Sequence, residues 1–340
     1  MTEFFIEYGM FLLKTVTIVV ALVVIIGTVA MASKKAAQQD GLEIEDLNRR
    51  YRTMANAVKQ AVMTKDAWKK EAKAEKARQK DEGKSDAAKP IVFVIDFKGD
   101  LKASAVESLR EEVSAVLDVA GPEDEVVVRL ENHGGVVHEH GLAASQLSRV
   151  RERKIPLTIA VDKVAASGGY LMACVANKIV AAPFAILGSI GVLAQIPNFN
   201  RLLDQHGIDF EMITAGQHKR NVTMFGRNTD EDREKLRSEL EEVHSLFKAA
   251  VNRYRPDLNL DKVATGEHWY GTQAMELDLA DELQTSDELL TSLAIDRNVY
   301  RVSYKVKMSL QRRILANADA LMSRIDTLEW RRRFESRLPR

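Results

Sequence analysis

A single cysteine, Cys174, leaves the chain without any internal disulfide, and at its place in an apolar helical pattern it reads as a packing residue. There is no surplus of charge of either sign: 49 Lys and Arg balance 49 Asp and Glu, which excludes a global field drawing the protein to nucleic acid. Aromatic residues are few, and the most densely charged stretch, KKEAKAEKARQKDEGKSDAAK at 69–89, has none to stack on bases. A metal site from His138, Glu139 and His140 is disfavoured, because positions i and i+2 point apart on a helix and on a strand supply only two ligands. No metal, cofactor or nucleic-acid partner is expected.

What is present falls into four parts along 340 residues, enough for two domains at most. Residues 15–33, TVTIVVALVVIIGTVAMAS, carry no charge. At about 1.5 Å per residue they span roughly 28 Å, close to a bilayer core of about 30 Å. A transmembrane anchor is therefore placed in residues 1–35. A cleaved signal peptide would put basic residues before a shorter apolar core, whereas here Glu3 and Glu7 come first. Lys34, Lys35, Arg49, Arg50 and Arg52 follow the span, so the positive-inside rule sets the bulk of the protein on the cytoplasmic side of the membrane. Residues 36–90 read as a charged helical stalk, its charges spaced to support a helix.

The globular part, 91–300, opens with the apolar strand IVFVIDF. A helix with Val106, Leu109, Val113 and Leu117 on one face follows, then the strand VVVRL, a helix over about 141–153 and the strand LTIAV at 157–161. This alternation predicts an α/β fold with a mostly parallel sheet. KIVAAP, AILGSIGVLAQ and FEMIT read as further, shorter strands. Thr229, with Asp230, Glu231 and Asp232, marks a helix start, and that helix is expected to run to about Tyr254. Residues 301–340 read as an amphipathic basic helix over about 309–337, suited to packing, oligomer contact or a membrane interface.

Three strand ends carry candidate chemistry. VDKVAASGGYLMACV (161–175) is a strand, a tight turn and a helix N-terminus, with Ser167 where unpaired backbone N–H groups gather. Ser167 is either a helix cap or a nucleophile at this point of the argument. EVVVRLENHGG (125–135) ends in a glycine pair able to aim an N–H at a ligand. FEMITAGQHKR (210–220) leads to Lys219, a candidate amine base.

Together, VAASGGYLMACVANKIVAAPFAILGSIGV (164–192), TAGQHKR (214–220) and TGEHWYGTQAMELDLADEL (265–283) are similar to the signal peptide peptidase A family, and most of all to its SohB branch. The likeness runs from the membrane segment to about Leu283. It implies a crotonase/ClpP-like spiral of β-β-α units and a serine endopeptidase of the bacterial inner membrane, acting on peptides such as signal-peptide remnants or membrane-protein segments. It further implies a homo-oligomer, in which the lysine of one subunit sometimes sits beside the serine of the next. By this resemblance Ser167 is the nucleophile and Lys219 its base, a lysine that accepts a proton only when neutral, a form that burial favours. Gly168, Gly135 and Gly134 form the oxyanion hole, and Ser189 shapes the substrate groove. The family motif at the second strand end reads Ser-Pro-Gly-Gly, whereas this chain has Asn132-His133-Gly134-Gly135. Without proline φ is free there, which predicts a looser turn.

Other readings stay open. His133 or His138 is an alternative base in a Ser-His hydrolase, although the three histidines of that loop read foremost as solvated. The same fold hosts acyl-CoA hydratases, but no pair of glutamates replaces Ser167 and Lys219. A non-catalytic membrane scaffold is the remaining class.

Overall fold

The strands IVFVIDFK and EVVVRLE carry consecutive apolar runs, IVFVI and VVV, the signature of parallel strands covered on both faces. In the computed structural model, which describes residues 10, 13–17, 20, 41–82, 89–216, 219 and 221–305, that is how they are used. Strand β1 (Gly41–Asp46) is followed by helices α1 (Leu47–Val62) and α2 (Lys65–Glu82), then β2 (Ile91–Lys98), α3 (Val106–Val119), β3 (Glu125–Glu131) and α4 (Val137–Glu152). Next come β4 (Leu157–Val161), β5 (Val164–Ala166), the short α5 (Gly168–Ala173), β6 (Lys178–Ala181) and β7 (Ile186–Gly188). The chain continues through α6 (Asn200–Gln205), α7 (Asp230–Tyr254), α8 (Leu260–Val263), β8 (His268–Tyr270), α9 (Gly271–Glu276), β9 (Glu282–Leu283), α10 (Ser286–Leu293) and β10 (Asn298–Lys305). Residues 42–304 form one compact unit.

Seven strands make the main sheet in the order β1-β10-β2-β3-β4-β6-β9, and β5, β7 and β8 make a second, three-stranded sheet. Every pairing from β10 to β9 in the main sheet is parallel, whereas β7 and β8 run antiparallel. The side-chain period of two sorts β2 cleanly. Phe93, Ile95 and Phe97 join the larger core with α3, α4 and α5, while Val92 and Val94 join the second core with Leu47, Leu289 and Leu290. At about 1.5–3 kcal/mol for each large apolar side chain buried, these two layers are the main stabilising term.

The helix start at Thr229 is a full capping box. Thr229 Oγ1 accepts from the Asp232 N–H and the Asp232 carboxylate accepts from the Thr229 N–H.

Three stretches differ from the sequence pattern. FEMIT (210–214) is not a strand: the described residues of 206–229 contain neither helix nor strand, and Ile213 is 93% exposed. Its alternation is apolar enough for a strand, but no strand among the described residues pairs with it. Residues 41–46, within the charged segment, form an edge strand of the main sheet. Asn48, just after it, donates to Ala294 O and Arg297 O and accepts from the Val299 N–H, which binds the start of α1 to the domain. The run 15–33 lies mostly outside the described residues, among which no helix is long and apolar enough to cross a membrane. The helix expected over 309–337 also lies outside them.

Glu112, on α3, is a buried carboxyl that accepts from the Tyr304 N–H at 2.7 Å. Burial pushes its pKa up to about 7, with the Tyr304 bond opposing and the charge of Asp96 adding. A carboxyl raised in the folded state contributes stability that is complete below its unfolded value of about 4.5 and is lost as pH rises through about 7. Glu112→Gln keeps the carbonyl acceptor and removes the charge. Urea midpoints should therefore fall between pH 5 and pH 8 more steeply for the wild type than for the variant; parallel curves would refute this account.

Candidate active site

The chain leaves β5 at Ala166 and enters α5 at Gly168, so a single residue must turn it. Ser167 does so at φ 52° and ψ −119°, a conformation that costs an L residue about 1–3 kcal/mol. Its N–H donates to Gly188 O at 2.8 Å and its carbonyl accepts from the Leu171 N–H at 3.0 Å. The side chain makes no capping bond, and among the described residues the hydroxyl has no hydrogen-bond partner. The helix-cap reading of Ser167 is thus excluded: the strain leaves a free hydroxyl, and the surroundings of α5 hold it there. Tyr170 and Met172 are fully buried, and the Tyr170 hydroxyl donates to Leu279 O.

Ser167 lines a cavity of about 930 Å³ together with His133, Gly134, Gly135, Ser189, Leu193, His244, Thr265 and others. The glycines beside it are there because nothing larger fits. A Cβ on Gly134, whose φ is +85°, would lie 2.8 Å from Gly168 N and from Ser167 Cβ. The two loop ends are therefore in direct contact.

The N–H groups of Gly135 and Gly168 have no acceptor among the described residues and remain for a ligand. Gly134 differs from expectation. Its N–H donates to Asn132 Oδ1 at 2.9 Å, so it is spent inside the protein and is not an oxyanion donor. The same bond answers the missing proline: the turn that the sequence predicts to be loose is closed by the Asn132 carboxamide.

Ser189 also lines the cavity, following the end of β7 beside Ser167, again at a positive φ of 52°, with its N–H donating to Glu267 O. Lys219 is elsewhere. It is exposed and lines a separate cavity of about 600 Å³ with Phe210, Met212, Ile213, Thr214, Ala215 and Thr223. A single chain does not bring Ser167 and Lys219 together, and no hydrogen bond joins them.

The histidines divide three ways. His133 is exposed on the wall of the serine cavity, and His138 is exposed on α4. His140 is fully buried, contrary to its reading as a solvated loop residue, because α4 begins at Val137 and turns it inward. Among the described residues no three His, Cys, Asp or Glu side chains are grouped to hold a metal. Sequence reasoning missed His244, which reaches the cavity from α7 and lies 3.2 Å from Ile190 O. Its spacing of three from Phe247, which packs on the core, was the available signal.

Residues 3–147 match the family model described as Peptidase family S49 N-terminal, and residues 149–300 the model described as Peptidase family S49. The chain is 46% identical over 316 residues to a protein named Probable protease SohB from Haemophilus influenzae, covering 89% of this chain and 90% of that one. It is 46% identical over 303 residues to another Probable protease SohB from Buchnera aphidicola subsp. Schlechtendalia chinensis, covering 85% and 99%. Among solved structures, a membrane-bound stomatin-specific protease in complex with a substrate peptide aligns with a TM-score of 0.38 at 14% identity, covering 68% of this chain and 99% of that one.

The contact between the loop ends yields a direct test. Gly134→Ala forces a Cβ against the Gly168 N–H, and a misplacement of this kind costs about a hundredfold in rate. Labelling of Ser167 by a fluorophosphonate should slow by that order while the melting temperature changes by only a few degrees. Unchanged labelling would show that the contact does not matter to the serine.

Proposed function

Because the chain belongs to peptidase family S49, we propose that it is a membrane-anchored serine endopeptidase with a crotonase/ClpP-like fold, using Ser167 as nucleophile and Lys219 as general base. The Ser167 hydroxyl adds to the scissile carbonyl while the neutral Lys219 amine takes its proton. The N–H groups of Gly168 and Gly135 receive the oxyanion, each such donor contributing about 3–4 kcal/mol to the transition state. Collapse of the tetrahedral intermediate passes the proton from Lys219 to the leaving amine. Water, activated by the same lysine, then releases the acyl group.

The observation that carries this reading is the strained Ser167 with a free hydroxyl beside two unengaged backbone N–H groups. The distance between serine and lysine in one chain is met by assembly. The described residues of 193–225 expose Leu193, Ile196, Leu202 and Ile213 and leave the packed rings of Phe199, Phe210 and Phe225 partly open, an apolar arm that carries Lys219. A second copy covers this arm in our reading, and it brings Lys219 to the neighbour's Ser167. Residues 15–33 anchor the chain in the bacterial inner membrane, with the catalytic part on the cytoplasmic side, and the substrates are peptides or membrane-protein segments. His133 on the cavity wall favours a second reading, in which it is the base.

Ser167→Ala and Lys219→Ala should each abolish peptide hydrolysis with the fold intact, whereas His133→Ala and His138→Ala should retain it. Loss in His133→Ala with activity kept in Lys219→Ala would install the Ser-His mechanism. Mixing the Ser167→Ala and Lys219→Ala chains before assembly should restore activity, since a shared site then holds one intact residue from each. An assembled mixture that stays inactive would rule out the shared dyad. Failure of wild-type Ser167 to take a fluorophosphonate would point to a scaffold.

A further inference from the structure

We propose that Asn132 and His140 are positioning residues of the oxyanion hole, a buried pair that fixes both loop ends and takes the place of a proline in the turn. The inference rests on the serine-protease reading of the site.

Both residues are fully buried, and neither touches the cavity. Asn132 follows the last residue of β3 and is stitched to the strand that carries the serine: its N–H donates to Val164 O at 2.9 Å and its carbonyl accepts from the Ala166 N–H at 3.0 Å. Its side chain works in both directions. Oδ1 accepts from the Gly134 N–H, a contact that identifies the facing atom as oxygen, and Nδ2 lies 3.3 Å from the Met172 sulfur on α5. One carboxamide therefore ties the Gly134-Gly135 turn to the helix that starts after Ser167.

His140 secures that carboxamide from behind. Its Nε2 lies 3.2 Å from Asn132 Oδ1 and its Nδ1 lies 3.0 Å from Val136 O. Both oxygens are acceptors and a neutral imidazole carries one N–H, so the ring donates to one of them; it does not line the cavity and acts only through its neighbours. The His140 side chain also packs against Gly168: a Cβ there would lie 2.5 Å from His140 Cγ. With Asn132 holding the glycine turn and His140 backing Gly168, the spacing of the two N–H donors is set by this pair.

A proline at 133 would do the same work differently. It fixes φ near −65° without any side-chain bond. The His133 N–H has no acceptor among the described residues, and Asn132 before it is extended in a strand bridge, the conformation that a following proline favours. Position 133 can therefore accept proline.

The test uses the full-length chain in detergent, with peptide hydrolysis, fluorophosphonate labelling and melting temperature measured side by side. Asn132→Ala should lower kcat by about a hundredfold with KM within about twofold, and labelling should slow in parallel. Adding His133→Pro to Asn132→Ala should recover at least about tenfold in kcat without raising the melting temperature, since proline restores the turn and leaves the core void unfilled. His140→Gln, which keeps an N–H donor near the Nε2 position, should retain most of the activity, whereas His140→Leu should lose kcat as Asn132→Ala does. This second pair decides the matter if Asn132→Ala does not fold. Wild-type kcat in Asn132→Ala or His140→Leu, or the absence of proline rescue in a folded double variant, would overturn the proposal. If wild-type Ser167 itself takes no probe, the protease reading fails; if it labels and the variants label equally fast, only this proposal fails.

Discussion

Two backbone hydrogen bonds, from the Asn132 N–H to Val164 O and from the Ala166 N–H to Asn132 O, join the end of β3 to β5 and so decide where the serine stands. The parallel sheet supplies the rigid strand ends, but β5 belongs to the small second sheet. Without this bridge the glycine turn and the serine turn would sit on separate layers. Each such bond contributes only about 0.5–1.5 kcal/mol net, less than or similar to the 1–3 kcal/mol of strain at Ser167. Burial therefore settles the balance. Tyr170, Met172, Ala173 and Cys174 just beyond the turn are all fully buried, and their combined transfer from water outweighs one strained residue several times over. The strained turn persists because α5 cannot leave the core without exposing them.

Much of this was legible in the order of residues, for a definite reason. A strand covered on both faces carries apolar residues in consecutive positions, so IVFVIDF, VVVRL and LTIAV could be read one by one, and the helix over Asp230–Tyr254 announced itself through Thr229 and the three acids that follow it. The serine turn was legible because few residues other than glycine tolerate the crowding around it. What failed were inferences about where burial comes from. FEMIT has the alternation of a half-buried strand, yet in this chain it lies exposed; a pattern states that a side chain prefers an apolar neighbour and not which molecule provides it. His140 failed in the opposite sense. Polarity placed it in solvent, while the first turn of α4 points it at the Asn132 carboxamide and the Val136 carbonyl, one of which takes its N–H. Asn48 belongs with it: a polar residue in a charged run, used to cap the backbone of β10 and the loop before it.

The absent proline shows how a motif can change while its geometry is retained. Proline stiffens a turn by removing conformations from the unfolded chain as much as by fixing the folded one. An asparagine that bonds to the N–H two residues on achieves a similar constraint through the folded state alone. It does so only if its amide is itself held, and here the holding groups are His140 and Met172. The cost of this solution is a buried polar network that must be complete, because a half-satisfied carboxamide in the core is worse than none.

The Ser189 side of the cavity follows from backbone contacts of the same kind. The Ser167 N–H is bound by Gly188 O, and the next residue, Ser189, is bound through its own N–H to Glu267 O. The pairings β5–β7 and β7–β8 thus carry the position of Ser167 across to Ser189 and on to the loop that contributes Thr265 and Gly266 to the cavity. Cleft width is therefore a property of three short strands and not of the side chains that line them. Leu193 and His244 also line the cavity but lie outside these three strands, whereas a change that breaks a pair in this small sheet bears on Ser167 and Ser189 together.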